Sequence, residues 1–373
     1  MDQAMTARRA TRPVKVRHIT IGGDAPVSIR SMTKTDTTDV AATVRQIRAL
    51  ATAGCEIVRV AVPTIEAAKA LPDIRREANK VPLVADIHFH PQFAIAAIEA
   101  GFDKIRWNPG NIRQTGPVRE VVARAKERGI PIRVGVNVGS LDPECEARYP
   151  HDLVEAMVQS ALKSVQLLER FDFHDIVLSV KSSDVLQMLA AYRRMSQVCE
   201  YPLHLGVTEA GLPEQSTVKS SIGIGGLLAA GIGDTIRVSI TGDPVEEVKV
   251  AQRILSSLEL RRFSTNVIAC PSCGRCEIDV VDIAKQVEAR LGSLAESTPR
   301  VRELTVAVMG CVVNGPGESE HADVGMAGGG GVGVIYRKGK QIRRVPEAEM
   351  VEALIEEVRR VADEAPSLTG AAA

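Results

Sequence analysis

Aromatic residues, long apolar runs and an excess of either charge are scarce in this sequence. Phe, Trp and Tyr make up 3% of the 373 residues, which disfavours a surface that stacks nucleic-acid bases. The 46 basic side chains are balanced by 46 acidic ones, so the basic excess of a general nucleic-acid binder is missing. No stretch of about 18 uncharged apolar residues occurs, and a membrane-spanning helix is therefore not expected.

The remaining composition is ordinary for a globular protein, with 45% hydrophobic residues to fill a core. The first 22 residues are basic and lack the apolar run of a secretory signal, so we expect a cytoplasmic protein that begins with a loose tail. In that compartment the seven cysteines are expected to be ligands or buried thiols rather than disulfides.

Short apolar, β-branched segments alternate with amphipathic helical patterns over the first two thirds of the chain. Most of these segments are apolar on both faces, as the strands of a buried parallel sheet are. We predict eight strands, at residues 27–32, 56–62, 82–86, 104–107, 132–137, 176–180, 203–207 and 235–239. Eight repeats predict a TIM (β/α)8 barrel over residues 1–262, with a doubly wound open sheet as the competing fold.

The pattern changes after this region. A cysteine cluster, a helix at 278–291, a strand at 304–308, a glycine-rich hairpin and a final helix at 346–362 follow one another. We therefore predict a second, smaller α+β domain over residues 263–373.

Polar residues are concentrated where the predicted barrel strands end, and many are two positions apart. Residues i and i+2 of a strand point to the same side, and the carboxyl ends of barrel strands carry the chemistry. The paired positions are Asp86 with His88, Arg106 with Asn108, Arg133 with Asn137, Ser179 with Lys181, and Arg237 with Ser239; Arg59, Thr208 and Glu209 accompany them.

Four arginines and Lys181 are thus predicted to converge on one mouth. Guanidinium forks suit phosphate oxygens, and burying so much positive charge without an anion is costly, so we expect a ligand with at least two phosphates. The alternative is that each arginine pairs with a neighbouring carboxylate. Residues 220–226, rich in Ser and Gly, either hold a phosphate at a helix start or form a tight turn.

The cysteine cluster lies in the predicted second domain. Cys270, Cys273 and Cys276 are closely spaced, and Cys311 follows the predicted strand in a loop rich in Gly and Pro. Such spacing serves structural zinc and iron–sulfur clusters alike, and buried packing thiols are a third reading. The exposed amides of a glycine-rich loop favour an iron–sulfur cluster, because they can donate to cluster sulfurs.

These residues resemble the 4-hydroxy-3-methylbut-2-enyl diphosphate synthase family. The likeness is carried by Cys-Pro-x-Cys-Gly-Arg at 270–275 and Gly-Cys-Val-Val-Asn-Gly-Pro-Gly-Glu at 310–318. Barrel segments match as well: Ser-Met-Thr at 31–33, Ala-Asp-Ile-His-Phe at 85–89, Asn-Pro-Gly-Asn-Ile at 108–112, Gly-Val-Asn at 135–137, Ser-Val-Lys at 179–181 and Gly-Val-Thr-Glu-Ala-Gly at 206–211. The likeness extends over nearly the whole chain, in the two-domain bacterial form.

The resemblance implies an iron–sulfur oxidoreductase of isoprenoid biosynthesis. Its substrate would be 2-C-methyl-D-erythritol 2,4-cyclodiphosphate, its product 4-hydroxy-3-methylbut-2-enyl diphosphate, and its electrons would come from flavodoxin or ferredoxin through a [4Fe-4S] cluster. By motif match the cluster ligands would be Cys270, Cys273, Cys311 and Glu318. The residues that would face the substrate are Arg59, Arg106, Arg133, Asn137, Lys181, Thr208, Glu209, Arg237 and Ser239, with Glu209 and Glu318 in catalytic roles.

The sequence departs from the family pattern at two positions. Cys276 stands where the family varies, and spacing alone also permits a site of four cysteines with Glu318 free. We favour Glu318, because a closed all-thiolate site leaves no iron open to substrate. Arg30 stands where Gln is expected before Ser-Met, and it either adds charge to the mouth or points outward.

A homodimer is predicted from the geometry of the last barrel helix. A helix at 244–257 starts near the mouth and carries the chain about 20 Å towards the opposite end of the barrel. We therefore expect each cluster domain to cap the barrel of the partner. The alternative function is a pterin-binding-type barrel transferase with a structural zinc domain.

Overall fold

In a computed structural model, the structure describes residues 7–88, 90–107, 115–311, 313 and 315–364. The chain divides into two compact units, of which the first ends at Arg261 and the second begins at Arg262. No helix of the described residues is both long enough and apolar enough to cross a bilayer.

A closed barrel of parallel strands forms the first unit, preceded by a hairpin of β1 (Val14–Val16) and β2 (Ile19–Ile21). The barrel strands are β3 (Ser28–Met32), β4 (Ile57–Ala61), β5 (Leu83–Ile87), β6 (Lys104–Trp107), β7 (Ile132–Asn137), β8 (Ile176–Lys181), β9 (His204–Leu205) and β10 (Thr235–Ile236). Their order is β8-β7-β6-β5-β4-β3-β10-β9, and a parallel bridge between Leu178 and Leu203 joins the two ends. The predicted TIM barrel is confirmed.

Helices follow the strands, as a (β/α)8 chain requires. They are α1 (Val40–Thr52), α2 (Ile65–Glu77), α3 (Pro91–Glu99), α4 (Thr115–Arg128), α5 (Pro143–Arg148), α6 (Leu153–Glu169), α7 (Val185–Val198), α8 (Pro213–Ser220), α9 (Gly226–Ala229) and α10 (Pro244–Ser257). Aspartates cap several of them: Asp39 and Asp184 accept from the amides of Ala42 and Gln187, each at 2.9 Å. Gly54 ends the turn after α1 at φ 97°, a conformation that favours glycine.

The hairpin closes the amino-terminal end of the barrel with apolar side chains. Residues of the hairpin and of three barrel strands form this floor: Val14, Val16, Ile21, Ile57, Val84 and Val177. Each of them is at most 1% exposed. Burial of this much apolar surface contributes about 1.5–3 kcal/mol per side chain and separates the barrel interior from water at this end.

The expected loose tail is wrong from Arg8 onward. The Arg8 guanidinium lies 2.7 Å from the carboxylate of Asp234, and the Thr11 hydroxyl donates to the same carboxylate at 3.0 Å. The amide of Arg9 donates to the carbonyl of Gly231 at 2.9 Å. The basic residues are ordered because the loop before β10 offers a buried carboxylate and free carbonyls.

The second unit is a five-stranded mixed sheet with helices packed on it. Its elements are β11 (Asn266–Ala269), α11 (Val280–Ser297), β12 (Thr305–Met309), α12 (Gly315–Glu320), β13 (Val324–Gly329), β14 (Val332–Arg337), β15 (Lys340–Pro346) and α13 (Met350–Glu364). The strands lie in the sheet in the same order as in the sequence. β11, β12 and β13 pair in parallel, whereas β13 with β14 and β14 with β15 pair antiparallel. The core joins Val287 of α11 and Val358 of α13 to Val306 of the sheet. The predicted α+β fold is confirmed.

We expect Asp234→Ala to destabilise the barrel by about 3 kcal/mol, because it leaves Arg8 and the buried amide of Leu203 without their acceptor. Urea unfolding measures the effect. The matched control is Glu200→Ala, which removes an exposed carboxylate 3.7 Å from Arg12 and should cost less than about 1 kcal/mol. Equal losses in both variants would show that the N-terminal segment is not held by Asp234.

Candidate active site

The mouth of the barrel is built from side chains that neighbouring strands place at matching heights. Asp86 of β5 is in register with Arg106 of β6, and Arg106 is in register with Arg133 of β7. Asn137 of β7 is likewise in register with Lys181 of β8. Parallel pairing thus brings together residues that are 20 to 44 positions apart in the sequence, as the strand-end pattern predicted.

Asp86 joins two of the predicted arginines. Its carboxylate lies 3.0 Å from a terminal nitrogen of Arg106 and 3.4 Å from one of Arg59, and all three side chains are largely buried. Burial alone raises the pKa of Asp86. The positive charges of Arg59 and Arg106 lower it by more, so the pKa lies well below its usual range. Asp86 is therefore ionised at neutral pH and fixes both guanidinium groups.

His88 continues this cluster towards the rim. Its Nε2 lies 2.8 Å from a terminal nitrogen of Arg106, and the ring is half-buried. Burial lowers the pKa of His88, with Asp86 opposing and Arg106 reinforcing the shift. A neutral imidazole can accept a hydrogen bond from Arg106 at this nitrogen.

Glu247 is the second carboxylate of the site and comes from α10 rather than from a strand. It accepts from Arg237 through Nε and a terminal nitrogen, each at 3.2 Å, and from the Ser31 hydroxyl at 2.7 Å. Lys34 approaches it to 3.1 Å. Burial raises the pKa of Glu247, but Arg237 and Ser31 lower it by more, so the group is ionised. For Arg59, Arg106 and Arg237 the carboxylate-pairing alternative is therefore correct.

Arg133 and Lys181 differ from the other three cations. They are 2% and 7% exposed, and among the described residues no carboxylate lies within ion-pair distance of either. Burial and neighbouring positive charges lower the pKa of Lys181. An anion entering the mouth would be the first counter-charge for these two groups.

Two glycines leave room for the cations. A Cβ at Gly206 would stand 2.5 Å from Nζ of Lys181 and 2.6 Å from the carbonyl oxygen of Arg237. A Cβ at Gly135 would lie 3.1 Å from the Ser179 hydroxyl and 3.2 Å from Nε of Arg106. Any larger residue at Gly206 would displace backbone as well as side chain, which explains glycine there.

The remaining predicted residues of the barrel lie on its rim. Asn137, Thr208 and Ser239 are half-buried, whereas Glu209 is exposed. Glu209 also has φ 50°, a left-handed conformation that is costly for a residue with a side chain. Such strain persists where the surrounding fold imposes it. Asn108 and the rest of segment 108–112 lie outside the described residues, as does Phe89.

The phosphate-loop reading of residues 220–226 is wrong. Ser221–Gly225 is a π-helical turn that runs without a break from α8 into α9, so its amides are not at the start of a helix. A Cβ at Gly223 would lie 3.0 Å from Val207 and 3.2 Å from the sulfur of Met188. The glycine is needed for close packing of the helix on its neighbours.

The cysteines of the second unit gather at one edge of its sheet. Cys270 follows β11 and Cys311 follows β12, and these strands are parallel neighbours. The segment is tied to the sheet because the amide of Cys270 donates to Val308 and that of Glu277 to Gly310, at 3.0 and 3.1 Å. None of the seven cysteines forms a disulfide. Parallel strand ends thus put the close thiols and the remote one at the same edge.

The described side chains of the second unit do not form a preassembled metal-binding group. Within the described ranges, no group of three or more His, Cys, Asp or Glu side chains stands ready to hold a metal ion. Cys273 and Glu318 are exposed, Cys270 is half-buried and Cys311 is buried. The thiol of Cys276 is engaged within the protein and donates to the carbonyl of Ile278 at 3.1 Å. Its sulfur also occupies the space where a Cβ of Gly310 would lie.

Glu247, Ser31 and Lys34 were not singled out by the sequence pattern as site residues. One signal was available for Glu247, which shares the i, i+4, i+7 stripe of α10 with the buried Ala251 and Ile254. A carboxylate on the buried stripe of an amphipathic helix needs a cationic partner inside the fold. Ser31 and Lys34 carry no comparable signal.

Two family models match the chain. The one described as the GcpE TIM-barrel domain matches residues 11–252, and the one described as the GcpE protein C-terminal domain matches residues 266–360. The chain is 55% identical to the 4-hydroxy-3-methylbut-2-en-1-yl diphosphate synthase (flavodoxin) of Symbiobacterium thermophilum, over 96% of this chain and 95% of that protein. It is 54% identical to the enzyme of the same name from Clostridium perfringens, over 95% and 99%.

Among solved structures, the dihydropteroate synthase of Xanthomonas albilineans is similar over 67% of this chain and 99% of its own. The sequence identity is 18% and the TM-score 0.49. A likeness at this level is too distant to bear on what the site binds.

We expect Asp86→Asn to lower the free energy of unfolding by about 3 kcal/mol at neutral pH, because Arg59 and Arg106 lose a buried counter-charge. The pKa of Asp86 is depressed in the folded state, so its contribution is present above the unfolded-state value of about 4 and is lost as pH falls below it. Urea unfolding at several pH values measures the gap between wild type and variant. It should stay constant from about pH 7 to pH 5 and narrow below about pH 4.

The control is Asp73→Asn, whose carboxylate pairs with Arg76 on the surface of α2. It should change stability by less than about 1 kcal/mol at any pH. A gap for Asp86→Asn that closes already at pH 6 would contradict the ionised, doubly paired carboxylate.

Proposed function

Since the chain belongs to the GcpE family, we propose that it reduces 2-C-methyl-D-erythritol 2,4-cyclodiphosphate to 4-hydroxy-3-methylbut-2-enyl diphosphate. It is an iron–sulfur oxidoreductase of isoprenoid biosynthesis, like the relatives that share half or more of its residues over nearly full length. The pterin-binding alternative is not favoured, because these relatives all carry the synthase name.

The reaction balances with two electrons and two protons. The bond between a ring carbon and a phosphate oxygen breaks, which opens the cyclic diphosphate; a neighbouring hydroxyl leaves as water, and a carbon–carbon double bond forms. The substrate therefore presents two phosphates to be held and hydroxyls to be positioned. The observation that carries the proposal is the pair of buried, unneutralised cations, Arg133 and Lys181, beside three arginines already fixed by carboxylates.

The division between free and paired cations suggests how the substrate is bound. Arg133 and Lys181 would take the diphosphate oxygens directly, because no described carboxylate competes for them. Arg59, Arg106 and Arg237 keep fixed orientations through Asp86 and Glu247 and offer their remaining N–H groups. Preorganised donors of this kind lose little entropy when the ligand arrives.

Rim residues would position the organic part of the substrate. Asn137, Thr208 and Ser239 supply neutral donors and acceptors to the substrate hydroxyls. The exposed Glu209 carboxylate, held in a strained conformation, would accept from a hydroxyl and hold the proton that leaves with it as water.

The second unit offers a donor set that fits an iron–sulfur cluster. Cys270, Cys273 and Cys311 form no disulfide and lie in segments that follow two parallel neighbouring strands, and soft thiolates are the ligands such clusters use. We assign Glu318 as the fourth ligand, because its exposed carboxylate is a harder and more exchangeable donor than a thiolate. When bound, a [4Fe-4S] cluster supplies single electrons and one Lewis-acidic iron. Flavodoxin, named in the relatives, or ferredoxin would be the donor.

The location and the assembly follow from the same features. Free thiols throughout the chain fit a reducing, cytoplasmic compartment. The first unit ends at Arg261, whose side chain contacts Val27 and Glu56 at the amino-terminal ends of β3 and β4. The chain thus leaves the barrel opposite its mouth, which favours a homodimer in which each cluster domain caps the partner's barrel.

Anaerobically purified protein should be brown and contain about four irons per chain. Cys273→Ser should lose most of this iron, whereas the matched Cys276→Ser should retain it, because the Cys276 thiol is engaged by Ile278. Glu318→Gln should keep much of the iron and lose turnover. Iron, sulfide and zinc are determined in the wild type and in all three variants, and turnover is measured with reduced flavodoxin. Stoichiometric zinc without iron would overturn the proposed function, and iron loss in Cys276→Ser would make that residue a ligand.

Mixing two variants that are each defective at substrate concentrations near the wild-type KM tests the dimer. Cys270→Ala should lack the cluster, and Arg133→Ala should raise KM by about 10- to 100-fold through one lost charge-assisted contact. If the cluster domain acts on the partner's barrel, subunits exchanged at random should recover about a quarter of wild-type sites. Activity no higher than that of the separate variants would contradict exchange of domains between subunits.

A further inference from the structure

Below the mouth, the barrel interior holds a second group of polar side chains that the proposed reaction does not use. Arg30, Lys104 and His204 are at most 1% exposed, and Arg133 above them is 2% exposed. We call Arg30, Lys104, His204 and the inner side of Arg133 the deep cluster. In most barrels these positions are filled by branched aliphatic residues.

Strand alternation directs these side chains into one space. Lys104 is two residues before Arg106, which contacts Asp86 inside the barrel. His204 is two residues before Gly206, whose missing side chain would point at Lys181. Arg30 is in register with Ile57, which packs against the apolar floor. All of them therefore face the barrel axis.

Hydrogen-bond partners for the deep cluster are missing among the described residues. All three guanidinium nitrogens of Arg30, Nζ of Lys104, both ring nitrogens of His204 and Nε of Arg133 have none. The two carboxylates that pair with the mouth arginines, Asp86 and Glu247, are taken by Arg59, Arg106 and Arg237. Unpaired buried donors of this kind are costly, and charged ones more so.

A charge count shows that the substrate alone cannot supply the counter-charge. Seven cationic side chains converge inside the barrel: Arg30, Arg59, Lys104, Arg106, Arg133, Lys181 and Arg237. Against them stand only Asp86 and Glu247, and Glu247 is shared with the partly exposed Lys34. With all seven side chains protonated, at least five positive charges in the described interior therefore have no counter-charge. A cyclic diphosphate carries two negative charges at its two phosphates. Positive charge remains even with substrate bound, and it is concentrated in the deep cluster.

We propose that the deep cluster is a second anion-binding site, separate from the mouth, for a small monovalent inorganic anion of the chloride class. The apolar floor of Val16, Ile57 and Val177 closes the space from below, which favours an ion that sheds its water readily over a phosphate. His204 donates one ring N–H, and Arg30 and Lys104 supply the charge.

Electrostatics within the cluster agree with this site. Burial lowers the pKa of Lys104, and the charges of Arg30 and Arg133 lower it further. A bound anion reverses this effect and keeps the ammonium group charged. Without an anion, burial and the neighbouring cations disfavour the charged form of Lys104.

The test uses the full-length protein as purified, in halide-free gluconate buffer of constant ionic strength. Bromide replaces gluconate stepwise while the thermal midpoint is recorded, and crystals soaked in bromide are measured at its absorption edge. We expect a saturable rise in the midpoint and one anomalous peak in contact with Arg30 and Lys104. Chloride should displace the bromide.

Arg30→Gln keeps the size and hydrogen-bonding capacity of the side chain but removes its charge, and it should weaken bromide binding at least tenfold. Lys104→Met should also weaken bromide binding at least tenfold. It provides the test if Arg30→Gln fails to fold. The matched control is Arg124→Gln, which changes an exposed arginine of α4 and should bind bromide like wild type.

A midpoint that rises without saturating and equally in all variants would overturn the proposal, as would water in place of the anomalous peak. A peak only at Arg133 and Lys181 would mark adventitious binding at the substrate mouth and would also overturn it. Neither iron nor turnover enters these measurements, so their failure leaves the proposed function untouched.

Discussion

Excess positive charge inside the barrel is the constraint on which the rest of this structure depends. Cationic side chains in a water-poor interior repel one another and lose hydration, so each must find a carboxylate, a ligand or a neutral state. Asp86 and Glu247 provide carboxylates for three of these side chains, Arg59, Arg106 and Arg237. In the proposed function Arg133 and Lys181 bind the anionic substrate, and the proposed deep site holds a smaller ion. Repulsion and lost hydration destabilise the cations of the empty barrel, and bound phosphates would relieve both effects.

The apolar stabilisation that an ordinary barrel gains from its axis is found elsewhere in this chain. The hairpin floor seals the amino-terminal end, and the N-terminal segment is anchored through Asp234. The outward sides of the strands are buried beneath helices such as α6 and α10, which contribute continuous apolar stripes. Glycines at 135 and 206 give the cations the volume they need. Stability and binding are therefore assigned to different layers of one fold.

Both units use the same geometric device for different chemistry. The carboxyl ends of parallel strands collect guanidinium groups in the barrel and thiols in the smaller sheet. Guanidinium groups suit phosphate oxygens, and thiolates suit the irons of an iron–sulfur cluster. Both family models match this one chain, and in the proposed reaction the barrel binds the substrate while the second unit holds the cluster that supplies electrons.

The sequence by itself determined the alternating strands and helices, the inward direction of Arg106, Arg133 and Lys181, and the paired cysteine segments, because these follow from local periodicity and short motifs. Strand ends were predicted to within a few residues, for example β7 at Ile132–Asn137. Only the tertiary structure decided that Glu247 reaches Ser31, a residue 216 positions away, and that residues 221–225 continue a helix. Contacts between distant segments depend on how the whole barrel closes, and no local pattern encodes that closure.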